Sequence, residues 1–189
     1  WATHGEPNDV NAHPHGDDAK CGHGIQLVHN GIIENHGVLR TWLLERGHVF
    51  TSETDTEVLA HLIGELYDGD LEIAVQTALR EVTGAYAIAV LCSGEPDVLV
   101  AARKGSPLMV GVGSDEYIVA SDSSAIVAYT NRAIDLEDET VVRLTRDSFR
   151  TATVENVPVT AKLMELEVDL EQIELGEYEH YMLKEIHEQ

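Results

Sequence analysis

The pattern of apolar and polar positions divides the chain into three stretches. Residues 1–24 are rich in glycine, proline and histidine and carry neither helical nor strand periodicity, so they read as a long loop. A loop of that length inside a compact domain marks function or disorder. The apolar run 25–28 predicts a buried strand that stops at His29-Asn30-Gly31, where Asn-Gly signals a turn. Three helices follow. In the first, over residues 35–46, Val38, Leu39, Trp42 and Leu43 share one face, and Gly47 is placed to cap the C-terminus. A short strand at 48–50 leads to Thr54-Asp55-Thr56-Glu57, a capping-box pattern in which the Thr hydroxyl and the Glu carboxylate satisfy free N–H groups at a helix start. Val58, Leu59, Leu62, Ile63 and Leu66 make the stripe of that second helix. The third, over 71–82, turns Ile73, Ala74, Ala78 and Leu79 inward.

From Gly84 the texture changes. Runs at 85–91, 98–102, 108–112, 117–120, 140–144 and 148–154 read as short strands split by Gly, Ser, Pro and Asp, with a short helix at 123–128. Residues 163–179 are acidic and weakly apolar, and the last ten residues can form a helix. Antiparallel strands covered by helices place the chain in the α+β class.

Composition fits a globular chain of 189 residues, 43% hydrophobic and 5% aromatic. Twelve Lys and Arg against 34 Asp and Glu give a net charge of −22. Such a field repels phosphate backbones, so neither nucleic acid nor an anionic membrane is an expected partner. Two cysteines, Cys21 and Cys92, are too few for a disulfide framework. With no signal peptide and no apolar run of spanning length, a reduced, cytoplasmic setting is expected. The opening Trp1-Ala2-Thr3-His4, without Met, reads as part of something longer.

Four local features could carry chemistry. His4, His13, His15, His23 and His29 with Cys21 could ligate zinc, but His13-Pro14-His15 and Cys21-Gly22-His23 lack the usual ligand gap, so no metal is expected. His29-Asn30-Gly31 is either a simple turn or an oxyanion site, since Asn offers a side-chain amide and Gly permits close approach to its backbone N–H. Asp55 is either a first-turn acid complementing the helix dipole or a carboxylate aimed at an ammonium group. Arg103-Lys104-Gly105-Ser106-Pro107, the densest positive patch, is either a phosphate site or a polar turn.

Resemblance tips these readings. Trp1-Ala2-Thr3-His4-Gly5-Glu6-Pro7, Asn11-Ala12-His13-Pro14-His15 and Val28-His29-Asn30-Gly31-Ile32-Ile33-Glu34-Asn35 resemble successive signatures of the class II glutamine amidotransferases. Ser52-Glu53-Thr54-Asp55-Thr56-Glu57, Gly84-Ala85-Tyr86, Ala102-Arg103-Lys104-Gly105-Ser106-Pro107-Leu108 and Ala120-Ser121-Asp122 continue the series in order. The ending His180-Tyr181-Met182-Leu183-Lys184-Glu185-Ile186 resembles the junction into the sugar-isomerising half of the glucosamine-6-phosphate synthases, the branch this chain is most similar to.

That resemblance implies an N-terminal-nucleophile hydrolase fold, a four-layer αββα sandwich, here lacking its N-terminal portion. It implies a glutaminase domain over 1–176 and the start of a linker at 177–189 to a sugar-isomerising domain of the same parent chain. L-Glutamine is the implied substrate, no cofactor is expected, and the parent is expected to be a homodimer. Asn30 and the Gly31 N–H would form the oxyanion hole, Thr3, His4 and Asp55 would bind substrate, and Trp1 would gate the ammonia passage. His13 is left as scaffold. The nucleophilic cysteine of the family and the arginine that grips the substrate carboxylate should lie before Trp1, so this segment by itself is expected to be inactive. Cys21 has no free α-amine to replace that cysteine, and Cys92 reads as core. The alternatives are the glutaminase domain of a phosphoribosyl-amine-forming amidotransferase and a non-catalytic glutamine-binding module.

Overall fold

A computed structural model describes residues 4–17 and 22–166. Trp1, Thr3, Cys21, the expected helix at the C-terminus and the 180–186 junction motif lie outside the described residues. In chain order the strands and helices are β1 (His15–Gly16), β2 (Ile25–Ile33), α1 (His36–Glu45), α2 (Asp55–Leu66), α3 (Leu71–Arg80), β3 (Gly84–Cys92), β4 (Leu99–Lys104), β5 (Met109–Val112), β6 (Tyr117–Ala120), α4 (Ser124–Val127), β7 (Arg132–Asp135), β8 (Thr140–Leu144), β9 (Phe149–Thr153), β10 (Pro158–Val159) and β11 (Leu163–Glu165). A 3-10 turn at Asp9–Asn11 precedes them.

Two antiparallel sheets result. One has seven strands in the order β1-β2-β3-β4-β8-β9-β10, the other four in the order β11-β7-β5-β6. One face of the larger sheet meets α1, α2 and α3 in a core that includes Ile25, Ile33, Leu43, Leu59, Ile63, Val75, Ile88 and Val100. Its other face meets the smaller sheet through Ala87, Ala101, Val142 and Leu144 against Leu108, Val110 and Ile134. Behind the smaller sheet, Ile126 of α4 fills the space beside Gly111. Helices, sheet, sheet and a short helix make the layered α+β arrangement expected from the sequence. Among the described residues no helix is long and apolar enough to cross a membrane.

Local chemistry accounts for the helix ends. Thr54 caps α2 by accepting the Glu57 N–H at 3.2 Å, and Asp70 caps α3 by accepting the Ile73 N–H at 3.1 Å. Gly47, at φ 90°, lets the chain leave α1 as a Schellman motif, with its N–H on the Leu44 carbonyl and the His48 N–H on Leu43.

Several expectations need correction. Residues 48–50 form no strand; they cross over α2 as coil, and His48 turns its ring inward to His61 and Glu65. Val38 is 73% exposed and Ile73 43% exposed, because Leu39 with Leu43, and Leu71 with Ala74, Val75 and Ala78, fill the contacts with the neighbouring elements. His29-Asn30-Gly31 does not end a strand. β2 runs on to Ile33, paired with β3 from Ile25↔Cys92 to Ile33↔Gly84. Glycine makes this continuation possible. Gly31 and Gly84 have φ of 142° and 124°, and a Cβ at either would run into the Ala85 or Ile32 carbonyl oxygen across the ladder. β1, β7, β10 and β11 carry too few apolar residues to show in the pattern.

Leu59 is fully buried between the helices and the larger sheet. Leu59→Ala is expected to lower unfolding free energy by about 2–5 kcal/mol, read as a lower urea midpoint at unchanged slope.

Candidate active site

A cleft of about 570 Å³ opens where β2 passes the start of α2, and His4, Asn30, Gly31 and Asp55 line it together. Sequence reasoning named all four as site residues. β1 pairs with β2 only at Gln26 and Leu27, so beyond Leu27 that edge of β2 has no strand partner among the described residues.

Asp55 is the fixed point. It is 3% exposed and sits in the first turn of α2, where the helix dipole favours an anion. Its Oδ2 accepts the Ile33 N–H at 2.8 Å, which binds the helix start to the end of β2. Its Oδ1 lies 3.5 Å from His4 Nδ1. That approach is of ion-pair length only, since His4 Nδ1 has no hydrogen-bond geometry to any partner. The His4 ring meets the edge of His36 at 4.5 Å.

Glu57 does not complete the expected capping box. Thr54 caps the Glu57 N–H, but the Glu57 carboxylate turns to the preceding loop instead of returning to the Thr54 N–H. It accepts the Thr51 N–H (2.8 Å) and hydroxyl (2.7 Å) and the Ser52 N–H and hydroxyl (both 2.7 Å). The Thr54 N–H goes to Ser52 Oγ. Burial raises the Glu57 carboxyl, and the hydrogen bonds from Thr51 and Ser52 outweigh it, leaving the group below its ordinary value.

Of the histidines that looked like loop residues, His4, His13 and His29 line the cleft, and His15 stands behind it. His15 Nε2 meets Thr54 Oγ1 at 3.2 Å, while His13 Nε2 and His29 Nδ1 share Thr56 Oγ1 at 3.3 and 3.1 Å. Sequence reasoning missed Asn11, His29, Ile32, Thr54 and Thr56 as lining residues, and His13, read as scaffold, lines the cleft too. The capping pattern and the histidine cluster were visible, but nothing in the spacing shows that they meet. Among the described residues no group of three or more His, Cys, Asp or Glu is placed to hold a metal ion. Cys92 is 3% exposed, its thiol directed at the His23 carbonyl, as its reading as core expects. The positive patch is paired with acidic neighbours, as a polar turn would be: Arg103 pairs with Asp135 at 3.0 Å, Lys104 with Glu139 at 2.8 Å, and Asp138 accepts the Gly105 N–H.

The family profile of the glutamine amidotransferase domain matches residues 14–128. The chain belongs to that family. It is 50% identical to the glutamine–fructose-6-phosphate aminotransferase (isomerizing) of Chlorobaculum tepidum, with all of this chain and 31% of the relative aligned. It is also 50% identical to the enzyme of that name in Thermotoga maritima, over 100% of this chain and 30% of the relative. The chain thus spans about a third of the length of these relatives. Among solved structures it resembles the Bacillus subtilis glutamine phosphoribosylpyrophosphate amidotransferase in complex with ADP and GMP, with a TM-score of 0.63 at 25% identity over 75% of this chain and 31% of that one. A class-II glutamine aminotransferase domain protein of Silicibacter pomeroyi shares the fold, with a TM-score of 0.54 at 18% identity over 78% of this chain and 71% of that one. These neighbours make the two-sheet architecture that of the N-terminal-nucleophile amidotransferases.

Two predictions follow from the cleft's construction. Gly31→Ala forces either a Cβ into the Ala85 carbonyl or the two strands apart, and is expected to cost at least about 1–3 kcal/mol of stability, read by urea unfolding. Burial, then neighbouring His15 and His29, lowers His13, and burial against the pull of Asp55 lowers His29, so the folded chain holds both neutral where unfolded histidines take up protons. A depressed histidine contributes stability that is full above the unfolded value of 6.5 and is lost as pH falls below it. The urea midpoint is therefore expected to fall between about pH 7 and 5.5, and His29→Gln to flatten that slope. The Glu57 contribution fades only at more acidic pH, below its ordinary value of 4.5.

Proposed function

We propose that these residues form the glutaminase part of a glutamine–fructose-6-phosphate aminotransferase. In this reading L-glutamine is hydrolysed to glutamate, and the ammonia passes to a sugar-isomerising domain that makes glucosamine 6-phosphate. The observation that carries it is the junction of two facts. The whole chain is 50% identical to enzymes of that name, and Asn30, Gly31, His4 and Asp55 line one cleft.

The chemistry assigned to the cleft is acyl transfer. A cysteine thiolate attacks the side-chain carboxamide carbon of glutamine, and the C–O pair moves onto oxygen. The Asn30 amide and the Gly31 N–H stabilise that oxyanion. As it collapses, the C–N bond breaks and the nitrogen leaves as ammonia, taking the proton that the cysteine thiol gave to its own α-amino group; water then cleaves the thioester to glutamate. Asp55 Oδ1 pairs with the substrate α-ammonium while Oδ2 stays on Ile33. His4, beside that oxygen, belongs to the segment that closes over substrate. The roles assigned to Thr3 and to Trp1 as ammonia gate fall outside the described residues, and the thiol is assigned to an N-terminal cysteine of the parent protein. Cys92, bound in the core, is no candidate for it.

The phosphoribosyl-amine-forming alternative has less support, since the amidotransferase structure of that type is 25% identical against 50% for the amino-sugar enzymes. The proposal extends to a cytoplasmic, homodimeric parent.

The test uses the full-length protein that carries this segment, followed by glutamate release from glutamine. Asn30→Ala is expected to lower kcat about 100-fold, the usual effect of removing one oxyanion donor. Asp55→Asn is expected to act mainly on KM for glutamine. No glutamate release by the wild-type protein, or an Asp55→Asn variant with unchanged KM, overturns the reading.

A further inference from the structure

Thr56 is 3% exposed, faces the cleft from the first turn of α2, and has no role in the chemistry assigned above. Its hydroxyl has one proton to give, yet two imidazole nitrogens reach it: His29 Nδ1 at 3.1 Å and His13 Nε2 at 3.3 Å. The other nitrogen of His29, Nε2, faces the Ala85 carbonyl oxygen at 3.5 Å.

A carbonyl oxygen only accepts, so His29 Nε2 carries a proton. In a neutral ring Nδ1 is then a bare acceptor, and the only proton that can meet it is that of Thr56. With its proton spent on His29, Thr56 Oγ1 accepts from His13, which fixes His13 as the Nε2–H tautomer. The chain of donors thus runs in one direction, from His13 through Thr56 to His29 and on to the β3 backbone. An extra proton on His29 Nδ1 would confront the Thr56 proton and unseat His13. Charged and titratable groups around the pair are Asp55 on α2 and His4 and His15 in the 4–17 segment. β3 presents the Ala85 carbonyl to His29 and carries the buried Tyr86 opposite Gly31, and His36 of α1 touches His4. No Lys or Arg is among the described residues that line the cleft.

We propose that Thr56 is a positioning residue whose hydroxyl caps the His29 lone pair and passes that ring's orientation on to His13, holding both as neutral Nε2–H tautomers so that neither adds imidazolium charge beside the Asp55 carboxylate that serves the substrate ammonium group. The consequence for substrate binding rests on the glutaminase reading; the tautomer lock does not. Burial works in the same direction, since it lowers both histidines against the opposing pull of Asp55.

Two measurements test it. The first is imidazole nitrogen NMR of the 15N-histidine-labelled chain. At pH 7 His13 and His29 are expected as neutral Nε2–H tautomers in the wild type and in Thr56→Ser; in Thr56→Val His13 loses that pattern and the His29 Nδ1 resonance shifts as its hydrogen bond is lost, while His29 Nε2–H stays on the Ala85 carbonyl. The second is the pH dependence of KM for glutamine in the full-length protein. Thr56→Val leaves the His29 lone pair without a donor and favours its protonation. Its KM is expected to rise about fivefold more than wild type between pH 8 and 6, the effect of losing one hydrogen bond, while Thr56→Ser follows wild type. A His29 Nδ1–H tautomer in the wild type, a measurement that needs no variant, overturns the proposal. So does a Thr56→Val protein with wild-type spectra and a wild-type KM profile. Tautomers as expected in a full-length protein that never releases glutamate support the lock and sink the glutaminase reading instead.

Discussion

The bond between Asp55 Oδ2 and the Ile33 N–H sets the geometry of the cleft. A carboxylate this buried is costly unless it is paired or hydrogen-bonded, and here it is satisfied by a strand N–H and by the dipole of the helix it begins. Because the donor belongs to β2 and the acceptor to α2, one contact fixes the helix start against the strand carrying Asn30 and Gly31. It also divides the labour of the two carboxylate oxygens, one committed to structure and the other turned to the cleft and His4. Removing the partner would leave a buried anion unpaired, so the site cannot drift far from this arrangement without loss of the fold around it.

Around that contact the polar groups form a directional network. Glu57 draws the 51–52 loop onto α2 with four hydrogen bonds, Ser52 and Thr54 bond each other, and His15 closes on Thr54. Asn11 accepts the Glu53 N–H and gives its own amide to the Glu6 carbonyl, tying the N-terminal loop to the same place. Hydrophobic packing of Leu59, Leu62 and Ile63 holds α2 on the sheet. Such packing tolerates small shifts, whereas hydrogen bonds of this length and direction do not. Binding residues are therefore placed by the polar end of α2 and stability comes from its apolar remainder.

Family membership and cleft geometry reinforce each other, with different reach. The match over residues 14–128 covers the cleft residues from β1 to α2 and the strand β3 behind them. Similarity to the amino-sugar enzymes covers the whole chain but about a third of their length. What the cleft itself offers is the buried carboxyl of Asp55, the amide of Asn30, and the imidazoles of His13 and His29, both held below the ordinary histidine value by burial. In a chain of net charge −22, Arg103 and Lys104 of β4 are paired with Asp135, Asp138 and Glu139.

Much of the architecture was legible in the residues. The stripe from Val58 to Leu66, the cap at Thr54, the glycine at 47 and the alternating runs after Gly84 all encode their own local conformation, because caps and periodicity depend on neighbours within a few positions. Asn30, Gly31, His4 and Asp55 were found through the order of motifs. Where local signals misled, a distant partner had overruled them. Asn30-Gly31 has the composition of a turn, but β3 supplies a ladder on the other side and Gly84 the matching clearance, so the strand continues. Glu57 sits where a capping box needs it, yet Thr51 and Ser52 compete for its carboxylate and win.

The sequence by itself determined the α+β class, the position of the main helices and the identity of the residues bearing polar chemistry, since each follows from short-range pattern and side-chain type. Only the tertiary structure decided that Thr56 lies between His13 and His29, and that Asp55 divides its oxygens between Ile33 and the cleft. The reason is range: those contacts join residues 22 to 43 positions apart, and a hydrogen bond at that separation exists only once packing has brought its two ends together.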